Sequence, residues 1–166
     1  MKRLAIAAAA LAATSVFAAD PPGFAFHADL IGFQEVPSVS TSARATFDAE
    51  LAGDLQSIDY TLTISGLSSA IAQAHIHFAQ VAVNGPIVIW LCGTTALPGP
   101  AGTPTCPQSG SVRGTITSTS VLASPTTQQL AAGDLARIIT ALRAGAAYAN
   151  IHTANSPGGE IRGQIF

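Results

Sequence analysis

The sequence predicts an all-β fold: an antiparallel β-sandwich or Greek-key barrel of about eight strands, with one short helix near 133–143. Three observations predict it. Short segments alternate apolar and polar side chains with a period of two, the repeat that sends successive side chains to opposite faces of a strand. Clusters of Gly, Pro, Asn, Asp and Ser separate those segments at regular intervals. A single stretch, 133–143, carries apolar residues at helical spacing.

The ends and the composition bound the rest. Charged residues are 10% of the 166, and the formal net charge is −2. No basic cluster occurs, so nucleic acid is not an expected partner, and few groups are available for acid–base chemistry. The chain opens with Lys2-Arg3, an apolar run from Leu4 to about Ala13, and Val16-Phe17-Ala18. This is the pattern of a secretory signal peptide, residues 1–18, cleaved after Ala18. Its apolar run is too short to span a bilayer. No cysteine stands at the cleavage point to take a lipid, and no transmembrane segment is expected after signal cleavage. The remaining 19–166 are expected to form one soluble domain, large enough for its own core, in the periplasm or secreted.

The strands follow in order. Phe24–Ile31 alternates Phe24, Phe26 and Ala28 against Ala25, His27 and Asp29. Gly32–Pro37 is a bend, because Pro37 has no N–H to offer a ladder. Residues 43–51 place Ala43, Ala45, Phe47, Ala49 and Leu51 on one face. After the turn at Gly53-Asp54, Leu55–Gly66 places Ile58, Tyr60, Leu62 and Ile64 together, so these two strands should pair antiparallel. Ile71–Ala79 is a fourth strand. Ile87–Cys92 is a continuous apolar run of strand length, as for a buried strand. Residues 111–117 resume the alternation. Gly133-Asp134 caps the helix, Leu135, Ile138, Ile139 and Leu142 form its stripe, and Gly145 stops it. The last twenty residues read as a hairpin. Its arms are 147–153 and 160–166, and its turn is Asn155-Ser156-Pro157-Gly158-Gly159.

Two cysteines, Cys92 and Cys106, flank a stretch rich in Gly, Pro and Thr. In an exported chain this argues for a disulfide clipping a long loop. Loop-closure entropy makes that worth roughly 3 kcal/mol. Thiolate ligation of a metal is the weaker alternative, with neither C-x-x-C spacing nor a nearby histidine behind it.

The closing hairpin has an echo. Ala74-His75-Ile76-His77-Phe78-Ala79, with Gly85-Pro86-Ile87 after it, parallels Ala149-Asn150-Ile151-His152-Thr153-Ala154, with Gly159-Glu160-Ile161 after it. His77 matches His152, and His75 matches Asn150. Val112–Ile116 likewise parallels Ile161–Ile165. The expectation is hairpins at similar positions in a sheet.

His75-Ile76-His77 carries the sharpest chemistry. On a strand these two imidazoles leave the same face about 6–7 Å apart, close enough to converge on one ion at about 2.0–2.1 Å per nitrogen. His152 supplies a third nitrogen if the echoing strands are neighbours. Asn150 or Glu160 offers a fourth or supporting group, with Arg162 beside them. Imidazole sets suit copper or zinc. The competing expectation is a hydrogen-bonded polar cluster of the same histidines with Glu160, Asn150 and Arg162, serving only the fold. Glu160 and Arg162, two apart on one face, read as a surface or cross-strand pair, and His27 as a surface histidine. A carboxylate pair of Glu35 and Glu160 for glycoside hydrolysis has no spacing to support it. Nucleophile-elbow, phosphate-loop and dinucleotide patterns are absent.

The chain resembles the CHRD domain, a repeat named after chordin and found alone in many exported bacterial proteins. The matching residues are Phe26–Pro37 (FHADLIGFQEVP), Ser65-Gly66-Leu67, Ala74–His77 (AHIH), Asn84–Val88 (NGPIV) and the closing Ala147–Ile165. One departure is the apolar Phe78–Val83 where the family usually continues with glycines after His-x-His. The resemblance implies an all-β extracellular module without an agreed enzymatic activity. The leading expectation is therefore an exported, non-enzymatic binding or structural module, its partner an extracytoplasmic protein or small ligand. The alternative is a copper- or zinc-binding protein using His75, His77 and His152. Redox activity like that of superoxide dismutase belongs to this alternative, because His-x-His resembles the copper-binding strand of the copper/zinc superoxide dismutases over those few residues.

Overall fold

Alternation in the sequence becomes a single curled sheet. The computed structural model describes residues 24–166, so the expected signal peptide and cleavage point lie outside the described residues. The elements are β1 (Ala25–Ile31), β2 (Arg44–Leu51), β3 (Ile58–Ser65), β4 (Ile71–Phe78), β5 (Ile87–Cys92), β6 (Gly110–Ile116), α1 (Leu135–Arg143), β7 (Ala147–Thr153) and β8 (Ile161–Gln164). They form one sheet in the order β5-β4-β7-β8-β1-β2-β3-β6. All of its pairings are antiparallel. Among the described residues no helix is long and apolar enough to cross a membrane.

The sheet curls until its two end strands nearly meet, giving a barrel-like shape. Unpaired strand edges invite association, and this seam is sealed by other means. The Cys92–Cys106 disulfide ties the end of β5 to the segment before β6. The Tyr60 hydroxyl on β3 donates to the Leu91 carbonyl on β5. The Leu122 N–H donates to the Val88 carbonyl at 2.8 Å, covering the free side of β5. Burial keeps the Tyr60 hydroxyl protonated, its pKa pushed up to about 12.

Apolar faces point inward as the alternation predicts. Phe47, Leu62, Ile58 and Ile76 are fully buried in one core, each contributing about 1.5–3 kcal/mol of burial. Asp134 caps α1 by accepting from the Arg137 N–H at 3.1 Å. The buried stripe Leu135, Ile138, Ile139 and Leu142 joins that same core. The third strand starts at Ile58 rather than Leu55, because Leu55 sits in a turn with φ of 62°.

Two expectations fail here. The polar face of β8 is not at the surface: Ile161 to Gln164 are all buried, and so is every residue of β7. Glu160 and Arg162 form no pair with each other. Segments lying over the sheet take them instead. Arg162 donates to the Val83 carbonyl at 2.7 Å and to Asn84 Oδ1 at 3.1 Å. Glu160 accepts from Thr41, Thr153 and the Ser68 N–H. The two echoes also part company. The β4–β5 and β7–β8 hairpins stand back to back, joined through β4 and β7 with His75 opposite Asn150 and His77 opposite Tyr148. The 112–116 echo has no such partner position. β6 is an end strand beside β3, whereas β8 lies between β7 and β1.

Candidate metal centre

On β4, Ala74 and Ile76 belong to the core, so period-two geometry sends His75 and His77 to the other face of the sheet. Register then chooses their neighbours. Trp90 of β5 stands opposite His75 on one side. Asn150 stands opposite it on the other, with Tyr148 opposite His77. His152 is one alternation further along β7 than Asn150, which places it diagonally across from His75, within reach of an imidazole.

The result is a triangle of three rings. Centroid separations are 5.1 Å for His75–His152, 5.7 Å for His75–His77 and 6.1 Å for His77–His152. One ring nitrogen from each lies within 4.8 Å of the others. Three imidazoles around an ion at 2.0–2.1 Å per nitrogen have centroids roughly 5.5 Å apart, so the triangle is close to that arrangement. His75 is 0% exposed, and His77 and His152 are each 7% exposed. Among the described residues this is the only such group of three or more metal-binding side chains.

Hydrogen bonding sets the tautomers. His77 Nδ1 lies 3.0 Å from the Gly85 carbonyl oxygen, and His152 Nδ1 lies 2.9 Å from that of Pro157. A carbonyl only accepts, so each Nδ1 carries the proton and each Nε2 keeps its lone pair. Those two Nε2 atoms and both ring nitrogens of His75 are buried without a hydrogen-bond partner. Left so, each such atom costs about 1–3 kcal/mol. The expected hydrogen-bonded cluster with Glu160, Asn150 and Arg162 is therefore not what forms. Asn150 donates to Glu35 Oε1 and to the Ile161 carbonyl instead.

Aromatic packing fixes the ring planes. Trp90 meets His75 edge to face at 4.4 Å. Tyr148 stacks on His77 at 4.7 Å, nearly parallel, and the Arg162 guanidinium covers Tyr148 at 3.4 Å. The loop between β4 and β5 closes the arrangement, since the Gly85 N–H donates to the Tyr148 hydroxyl at 3.3 Å. Gly85 has no alternative residue there: a Cβ would overlap the Phe78 carbonyl. Gly159 of the closing turn has φ of +126°, and a Cβ would press within 2.6 Å of Asn150 and Glu35. The apolar Phe78–Val83 segment thus does not open the site. It carries the backbone that anchors Arg162.

Electrostatics keep the histidines neutral. Burial pulls His75 down to about 3, helped by its two histidine neighbours. Burial likewise takes His77 down to about 4, with Arg162 adding to it and the Gly85 bond opposing it. His152 is lowered by burial against the Pro157 bond. Burial pushes Glu35 up to about 7, although Arg162 and Asn150 pull the other way. Burial also acts to raise Glu160, but the bonds from Thr153, Thr41 and Ser68 outweigh it and hold the carboxylate below its usual range. His27 is exposed, as expected, and its bond to Asp48 raises it. A surface cleft of about 780 Å³ is lined by residues that include His27, Asp48, Glu50 and Arg113 and by none of the three clustered histidines.

Trp90, Tyr148, Gly85 and Pro157 are site residues that the sequence patterns did not single out for a role. Trp90 is hidden inside an apolar run. Period two along 147–153 does place Tyr148 on the face of Asn150 and His152, without giving it a role.

A curled antiparallel sheet with a buried three-histidine cluster on the face away from its core defines an all-β module with a candidate metal centre. The CHRD domain model matches residues 26–165, so the chain belongs to the CHRD family. No curated protein and no solved structure matches it.

Proposed function

We propose that this CHRD module is exported and that its binding role is to hold one transition-metal ion, copper or zinc, on His75, His77 and His152. One observation carries the proposal: three neutral imidazoles converge in a buried pocket with their available lone pairs unpartnered. A cluster kept only for the fold is expected to satisfy those atoms internally. A metal-binding cluster is expected to leave them free and to spend the other ring nitrogens on orienting bonds, which is the pattern of His77 and His152. Export is supported by the charged and apolar start of the chain and by the Cys92–Cys106 disulfide. Asn150, Glu160 and Arg162 position neighbouring segments and do not ligate. Redox activity of the superoxide-dismutase kind draws support from His-x-His alone and is not part of the proposal.

The test is thermal. The purified chain is stripped with a chelator, then melted with and without one equivalent of copper or zinc. A ligand at about a hundred times its dissociation constant stabilises by about 2.7 kcal/mol, which is visible as a rise in Tm. His77→Ala should abolish the rise. No shift with either metal sinks the proposal.

A further inference from the structure

We infer that the three-histidine pocket takes the monovalent cuprous ion in preference to divalent zinc; this rests on the metal-binding proposal above and makes it specific. The donor set is three neutral imidazoles, so a bound ion keeps its full charge. The pocket is buried: His75 is fully so and the other two are nearly so. The cost of placing an ion in such surroundings rises with the square of its charge, so a dication pays about four times what a monocation pays.

No carboxylate belongs to the ligand set to offset a second charge. Both oxygens of Glu160 are taken by Thr41, Ser68 and Thr153. Glu35 is engaged by Asn150 and faces Arg162. The fixed charge that reaches His77 is the Arg162 guanidinium, stacked behind Tyr148, and it is positive. The groups that orient His77 and His152 are the neutral carbonyls of Gly85 and Pro157. A carboxylate in that place would make the imidazole a stronger donor to a hard dication; none is there.

Coordination number points the same way. A structural zinc site fills four positions from the protein, and a three-histidine zinc ion takes a water as its fourth ligand; here the cluster supplies three from a buried pocket. Three nitrogens in a trigonal set complete the sphere of a closed-shell cuprous ion. Trp90 on one flank brings no ligand atom, and the Tyr148 hydroxyl on another is engaged by the Gly85 N–H.

The test uses the folded chain under anaerobic conditions. Cuprous ion is titrated against a competing copper(I) chelator such as bicinchoninate, and zinc against a chromophoric zinc chelator. The expected result is one cuprous ion per chain, bound ~10³-fold or more tightly than zinc, with His77→Ala losing both ions. X-ray absorption of the copper form should give three nitrogen neighbours. Zinc bound as tightly as copper or more so, and lost in His77→Ala, overturns the preference and leaves the metal site standing. Failure of both ions to bind overturns the preference and the site together.

Discussion

Acidifying the metal-free protein from about pH 7.5 to about pH 5 tests the burial of the cluster directly. Two opposing contributions can be worked out. His75 and His77 have folded pKa values lowered to about 3 and about 4. They stay neutral while their unfolded counterparts take up protons below about 6.5, so their stabilisation is present above that value and lost as pH falls. By linkage each costs about 2 kcal/mol at pH 5. His152, also lowered, acts in the same direction. Glu35 runs the other way: its folded pKa is raised to about 7. Stability from this group is present at low pH and lost as pH rises through about 7, so acidification returns roughly 2 kcal/mol. Exposed His27, whose pKa is raised, adds a small gain at low pH. The wild type should therefore lose on the order of 2 kcal/mol between the two pH values. Glu35→Gln, which keeps an oxygen for Asn150 but cannot titrate, should lose about twice that. Urea unfolding in a chelator, at half-unit pH steps, reads both. Equal pH profiles for the two proteins, or no loss in Glu35→Gln, would refute the reasoning.

Three further outcomes follow from particular contacts. Glu160→Gln gives up one of two oxygens that together hold Thr41, Ser68 and Thr153; a loss of about 2 kcal/mol is expected in denaturant unfolding, and no loss would show the carboxylate to be dispensable. Reducing the disulfide that closes the 14-residue separation between Cys92 and Cys106 should cost about 3 kcal/mol, read as a fall in Tm on adding a phosphine reductant; an unchanged Tm contradicts it. Gly85→Ala drives a methyl into the Phe78 carbonyl and moves the oxygen that orients His77. Metal affinity should fall about 10–100-fold by chelator competition, with the disulfide and far-UV spectrum unchanged.

Most of the fold was legible because its information is local. Alternation in Arg44–Leu51 and Ile58–Ser65 gave both strands and, through the short turn between them, their pairing. Helical spacing and the Asp134 cap marked α1. His-x-His and its echo at His152 brought forward the three histidines that cluster in the structure, because period two is a statement about faces. Alternation could not tell that a polar face would be covered. Arg162 reads as a surface residue until Val83 and Asn84 fold over it, and that covering is long-range. The same gap explains why Glu160 was expected beside the histidines and instead secures Thr41 and Ser68. Trp90 escaped because an all-apolar strand has no readable face, yet its register opposite His75 makes it a wall of the site.

The central claim is that His75, His77 and His152 act as one ligand set for one ion. Native mass spectrometry of the chain loaded with a small excess of cuprous ion, beside His75→Ala, His77→Ala and His152→Ala, tests it most directly. The expected result is a single metal adduct per wild-type chain and its loss in each of the three variants. A wild-type chain that carries no metal, or an adduct that survives all three substitutions, would contradict it.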